Sequence, residues 1–134
     1  MVLFRSGPDI TKSSIIRTGG YEKQLLSFIS KYDLKDNVVF LGRLNAEELV
    51  VELKNSNVFV NSSFVESFSA STAEALCIGV PTVISYAGAM PEFTEKIQTA
   101  LSYSPMDYKS CAAKIELLFT DTNLCERLSC NAVE

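Results

Sequence analysis

Histidine is absent from the 134 residues of this chain. That excludes a Ser-His-Asp or Cys-His nucleophile system and the common histidine-containing metal sites. Any chemistry must come from carboxylates, backbone dipoles, cations and hydroxyls. No apolar run approaches the roughly 18 to 20 residues that cross a bilayer. The twelve Lys and Arg form no basic run, and sixteen Asp and Glu leave a net charge of −4, which argues against nucleic acid as a partner. The four cysteines, Cys77, Cys111, Cys125 and Cys130, lack C-x-x-C spacing, and "MVLFRSGPDI" does not read as a secretory signal. A reducing, cytoplasmic setting is expected, with the cysteines acting as small apolar residues.

What is present is ordinary for a globular protein: 47% apolar and 21% charged residues, in a length that suits one domain over 1–134. Short apolar, β-branched runs alternate with segments of helical period, which predicts an α/β fold, a doubly wound parallel sheet with helices on both faces. Strands are expected at Val2–Arg5, in "NVVFLG", in "NVFV", in "PTVIS" and in "ALSYS". The stretch "SGPDITKSSIIRTGG" reads as a polar loop. The helix after it carries Tyr21, Leu25, Phe28, Ile29 and Tyr32 at spacings of three and four, an apolar face expected to pack on the sheet. Asn45 with Glu48 forms a capping box ahead of Leu49 and Leu53. "STAEALCI" is a helix closed by Gly79 and Pro81. A short helix is expected from Pro91. Another follows Asp107 with an apolar stripe of Ala112, Ile115, Leu118 and Phe119, and a last one starts at Asn123.

In an open α/β sheet ligands sit at the carboxyl ends of the strands. Glu66 follows the strand "NVFV" by a few residues, and Glu74 lies one to two turns into the next helix, so both can point to one crevice. Between them "SFSAS" places small residues at a helix start, where free N–H groups and the helix dipole favour an anion. Phosphates beside carboxylates suit a ligand with both phosphates and hydroxyls, such as a nucleotide sugar. Spacing alone proves little, since Glu126 and Glu134 repeat it in a polar segment with no strand before it.

The run "NVFVNSSFVESFSASTAEALCIGVPTVISYAGAMPE" resembles retaining glycosyltransferases of family 4, in the C-terminal, nucleotide-sugar-binding half of their GT-B fold. Members there read as a strand, a short polar run, "E-G-F-G", "E-A-M/L", "G-x-P-V-V/I" and "G-G-x-P-E". The resemblance extends upstream through "LKDNVVFLGRLNAEEL" and downstream through "ALSYSPMDYKSCAAKIELLFTDTNLCERLSCNA", and is weakest over residues 1–19. "SYAGAMPE" is similar to bacterial capsular and surface polysaccharide transferases.

The resemblance implies a Rossmann-like donor domain and a metal-independent glycosyl transfer that needs no cofactor. Glu66 takes the first position of the E-x7-E motif, beside the transferred sugar, and Glu74 the second, on the donor ribose. Ser67, Phe68, Ser69 and Ala70 form the loop whose amides meet sugar and diphosphate, and Gly42, Arg43 and Leu44 meet the nucleobase. Two motif glycines are serines here, Ser67 and Ser69, which restricts the loop backbone. Family members are two to three times longer. The resemblance therefore implies a partial donor domain, inactive alone, without the acceptor-binding N-terminal domain and without the Arg and Lys that neutralise the diphosphate; Arg5 and Arg43 are the candidates to replace them. A glycan or lipid-linked acceptor, peripheral membrane attachment of the parent, and homodimerisation through surface left open by the missing parts are further expectations. Two other readings stand beside this one. One is a non-catalytic ligand-binding or signalling module on a flavodoxin-like sheet; the other, an epimerase of the same architecture, is disfavoured by the missing histidines.

Overall fold

The computed structural model describes residues 1–6, 12–16, 20–65, 69–89, 91, 94 and 96–133. Among them lie β1 (Val2–Arg5), β2 (Lys12–Ile15), α1 (Glu22–Lys31), β3 (Val38–Phe40), α2 (Ala46–Lys54), β4 (Val58–Asn61), α3 (Ala70–Ile78), β5 (Thr82–Ser85), β6 (Leu101–Tyr103), α4 (Tyr108–Thr120) and α5 (Thr122–Val133). The six strands form one sheet in the order β3-β2-β1-β4-β5-β6. β2 is parallel to β3, β4 to β5, and β5 to β6.

β1 departs from the expected all-parallel sheet. It runs antiparallel to both neighbours, with Val2 opposite Ile15 on one side and Val60 on the other. The cause is chain length. Six residues separate Arg5 from Lys12, too few for the crossover of a dozen or more that two adjacent parallel strands require. The expected long loop from Ser6 to Gly20 is likewise corrected, because Lys12–Ile15 is a strand. Its "KSSI" gives no apolar alternation to read, and its place comes from burial of Ser14, Ile15 and Ile16 against the sheet and its neighbours. Reversal also fixes the fate of Arg5. It sits at the end of β1 opposite the carboxyl ends of β2 and β4, ion-paired to Glu52 of α2.

Strand alternation divides the core between two faces. Leu3 and Phe59 join Leu53 of α2 and Ala75 of α3 on one, while Val58, Val60, Val83 and Tyr103 join Leu118 of α4 and Leu128 of α5 on the other. Ile84 packs with Leu76 of α3 and Ala132 of α5. Helices thus cover both faces, as the alternating pattern predicts. Burial pushes the Tyr103 hydroxyl well above its usual pKa, in keeping with a packing role.

Local signals set the helix ends. The Asn45–Glu48 capping box forms in both directions, at 2.9 Å each way. Asp107 accepts the Ser110 N–H at 3.0 Å. α5 starts one residue before the expected Asn123, because Asp121 caps it through the Leu124 N–H. Gly79 ends α3 at φ 82°, a left-handed conformation that glycine adopts without strain, and its carbonyl accepts from Ser129 Oγ at 2.7 Å. The short helix expected from Pro91 falls largely outside the described residues.

α1 packs less than its periodicity predicts. Ile29 is its one buried residue. Tyr21, Leu26, Phe28 and Tyr32 are exposed, with Phe28 and Tyr32 stacked at 6.4 Å. Ala112 is also exposed, whereas Ile115, Leu118 and Phe119 pack as expected. Among the described residues no helix is long and apolar enough to cross a membrane.

Leu3 is fully buried in the central strand. Leu3→Ala is expected to cost about 3 kcal/mol in urea unfolding, against less than about 0.5 kcal/mol for Val51→Ala on the exposed face of α2. Exposed Cys77 and Cys130 are expected to react with iodoacetamide at pH 8 well before half-buried Cys111 and Cys125, followed by mass spectrometry. Burial raises the pKa of both half-buried thiols and so depletes the reactive thiolate.

Candidate functional site

A cleft of about 670 Å³ opens at the carboxyl ends of β2 and β4. Its size is that of a small-molecule site. One wall is apolar: Met1, Ile16, Leu44 and Leu49. The opposite wall is polar: Asn61, Ser63, Ser69, Ala70, Ser71 and Glu74, with Arg43 beside the apolar side chains. Residues on both sides of β1 in the sheet thus build one cavity.

The polar wall is organised around the end of β4. Asn61 is 5% exposed, and its Nδ2 donates to Ser69 Oγ at 2.9 Å and to Thr72 Oγ1 at 3.0 Å. Its Oδ1 accepts from the Ser63 N–H at 3.1 Å and from Ser63 Oγ at 2.8 Å. Ser69 is the N-cap of α3 and accepts the Thr72 N–H at 3.2 Å. The Ser85 hydroxyl, at the end of the neighbouring β5, donates to the Ser63 carbonyl. The N–H groups of Ala70 and Ser71 precede the first intrahelical donor, the Ala73 N–H that bonds the Ser69 carbonyl, and both residues line the cleft. With no acidic residue in its first turn, α3 presents its positive dipole end without a neutralising side chain there.

Arg43, Leu44, Ser69, Ala70 and Glu74, five of the residues expected from sequence, are brought together in this cavity. Gly42 adjoins it with φ 70°, a left-handed turn that sends Arg43 and Leu44 on toward α2. Glu66, Ser67 and Phe68 lie outside the described residues. Arg5 is not in the cleft; its partner is Glu52, so of the two candidate cations only Arg43 lines the cavity. Ser71, the last residue of the "SFSAS" helix start, lines it as well; Met1, Ile16, Leu49, Asn61 and Ser63 complete the lining, and sequence patterning had not singled these five out for the site. Asn61 left a signal, a polar residue ending a buried strand. Ile16 left none, because its segment reads as loop. Among the described residues no cluster of three or more His, Cys, Asp or Glu is placed to hold a metal ion.

Comparison with known proteins identifies the family and the fold. The chain is 30% identical over 104 residues to sucrose-phosphate synthase of Zea mays, a match covering 75% of this chain and 10% of that protein. The structure superposes on sucrose-phosphate synthase from Thermosynechococcus elongatus with a TM-score of 0.77 and 27% identity, covering 96% of this chain and 31% of that one. It shares its fold with Anabaena HepE in complex with UDP-glucose, at a TM-score of 0.78 and 24% identity, over 84% of this chain and 31% of that one. The chain therefore spans a third or less of the length of these relatives. The family model described as glycosyl transferases group 1 matches residues 11–134, so that everything from β2 to α5 lies within it and β1 outside. The fold is that of GT-B glycosyltransferases, and the chain belongs to the glycosyl transferases group 1 family.

Proposed function

We propose that the cleft binds a nucleoside-diphosphate sugar and that the chain is the donor-binding part of a retaining, metal-independent glycosyltransferase of glycan or polysaccharide synthesis. The observation that carries this is the meeting, in one cavity, of an apolar wall, a cation, free helix-terminal amides and a carboxylate. Each suits one part of such a ligand. The base lies along Ile16, Leu44 and Leu49, the diphosphate meets the Ala70 and Ser71 amides and Arg43, and Glu74 accepts hydrogen bonds from the ribose hydroxyls. The HepE neighbour holding UDP-glucose in the same fold supports the assignment.

Transfer from such a donor breaks the bond between the sugar and the diphosphate. Developing charge on the departing oxygen is stabilised by preorganised donors, which act at their full strength in a site closed to water. Ser67 and Phe68, with Ser69, belong to the loop that meets sugar and diphosphate in this reading. Glu66, first of the E-x7-E pair, holds the transferred sugar and stabilises positive charge at the reacting carbon. The acceptor, a glycan or a lipid-linked glycan, binds in parts of the longer relatives that this chain does not match, so the chain alone is expected to bind donor without transferring it. Four free thiols suit a reducing, cytoplasmic setting. Peripheral membrane attachment would then arise through the longer protein. The exposed Phe28 and Tyr32 face of α1 offers a surface for homodimerisation, which a monomer mass by light scattering at high concentration would remove.

Titration of the isotopically labelled chain with UDP, ADP, GDP and UDP-glucose is expected to shift the amides of residues 42–44 and 69–74 selectively. Glu74→Ala should weaken the preferred diphosphate about tenfold, the worth of one or two hydrogen bonds to a charged group. Arg43→Ala should weaken UDP more than uridine and flatten its salt dependence. Absence of any shift at millimolar ligand would count against an intact donor site in this chain and in favour of the non-catalytic module.

A further inference from the structure

One side chain, Asn61 at the end of β4, holds both Ser63, two residues on, and the N-terminus of α3 at Ser69 and Thr72. Asn61 has two amide hydrogens and two acceptor lone pairs. The hydrogens go to Ser69 Oγ and Thr72 Oγ1 at the far end, and the lone pairs receive the Ser63 N–H and hydroxyl at the near end. Its hydrogen-bonding capacity is filled, half on each side of the loop. Ser85 adds a hold on the Ser63 carbonyl from the next strand.

Burial does not take over this task at the described loop residues. Phe64 is 64% exposed and Val65 is 92% exposed, so neither large apolar side chain anchors the segment in the core. Asn61, Ser69 and Thr72 are, by contrast, 5%, 4% and 0% exposed. A buried polar group of this kind is costly unless fully paired, and here the amide's two NH bonds hold the start of α3 while its oxygen holds Ser63. Geometry at the cleft follows. Ser69 sets where α3 begins, and α3 carries the Ala70 and Ser71 amides and Glu74.

From this we infer that Asn61 is the positioning residue of the donor site: through Ser63, Ser69 and Thr72 it fixes the chain just past β4 and the first turn of α3 against the diphosphate of the ligand. Asn61 lines the cleft, but its polar atoms are spent on the protein, so it acts through the groups it holds. For the ligand the inference rests on the donor-binding reading; for the loop it stands on the hydrogen bonds alone.

The test has two arms on the full chain. In the ligand-free protein, the heteronuclear NOEs of the Phe64 and Val65 amides are compared between wild type and Asn61→Leu. They are expected to fall in the variant while those of β4, β5 and α4 stay unchanged, and to recover in Asn61→Asp, which keeps an acceptor for Ser63 and receives the hydroxyl protons of Ser69 and Thr72. In the second arm, UDP affinity is expected to fall at least tenfold in Asn61→Leu while uridine affinity changes less than twofold. Unchanged NOEs in Asn61→Leu, or equal losses of UDP and uridine affinity, would overturn the inference. If wild type binds no UDP, the donor-site reading fails by itself and the NOE arm decides the role of Asn61 in the loop. If Asn61→Leu gives no folded spectrum, Asn61→Ser carries both arms, since its short side chain cannot reach Ser63 and Thr72 together; unchanged Phe64 and Val65 NOEs there would overturn the inference equally.

Discussion

The seating of β1 between β2 and β4 is the contact on which the rest of this structure depends. Among the described strands it alone joins the β3–β2 pair to the β4–β5–β6 set. Its side chains feed both cores, Leu3 into one face and Val2 and Phe4 into the other. The Asn57 N–H donates to the Phe4 carbonyl at 2.9 Å, and the Ser6 N–H to Asn57 Oδ1 at 2.8 Å, extending the pairing past the strand itself. Without β1 the cleft would lose its shape along with the sheet, because Ile16 and Arg43 come from one side of that seam and Asn61 and Glu74 from the other.

Placed on that frame, the cleft divides its labour by chemistry. Apolar side chains line the side reached from β2 and α2, and hydroxyls, an amide and a carboxylate line the side reached from β4 and α3. The division follows from sequence-level rules. Strand ends in an open sheet expose backbone and polar side chains, and a helix start selects Ser, Thr, Asn or Asp. Ser69 meets both demands at once, as cap and as cleft wall.

The amount legible in advance varied with the kind of signal. Strands with continuous β-branched runs, such as "NVFV" and "PTVIS", declared themselves because they are buried on both faces. Caps at Asn45, Asp107 and Gly79 were equally plain, since each depends on one local residue. β2 was hidden, because two serines and a lysine in four residues give no period, and its pairing is a tertiary fact. The apolar periodicity of α1 was real yet misleading. Spacing reports which residues share a face, not whether another element lies beneath it. Of the residues the motif names, Arg43, Leu44, Ser69, Ala70 and Glu74 line one cavity in the fold. The motif was silent on Asn61, whose helix partners stand eight and eleven residues away and meet it only when α3 folds back beside β4.

The reversed direction of β1 has a practical consequence. Because Val2 lies opposite Ile15 and Val60, Met1 is delivered to the rim of the cleft, next to Ile16 and Leu44. Any residues joined ahead of Met1 emerge at the mouth where a ligand must enter. The other terminus lies far off: Val133 packs near Gly79, at the end of α3 remote from the cleft, about 13 Å along a nine-residue helix. An affinity handle or fluorophore placed after α5 would leave the entrance clear, whereas the same group fused at the front would stand in the doorway.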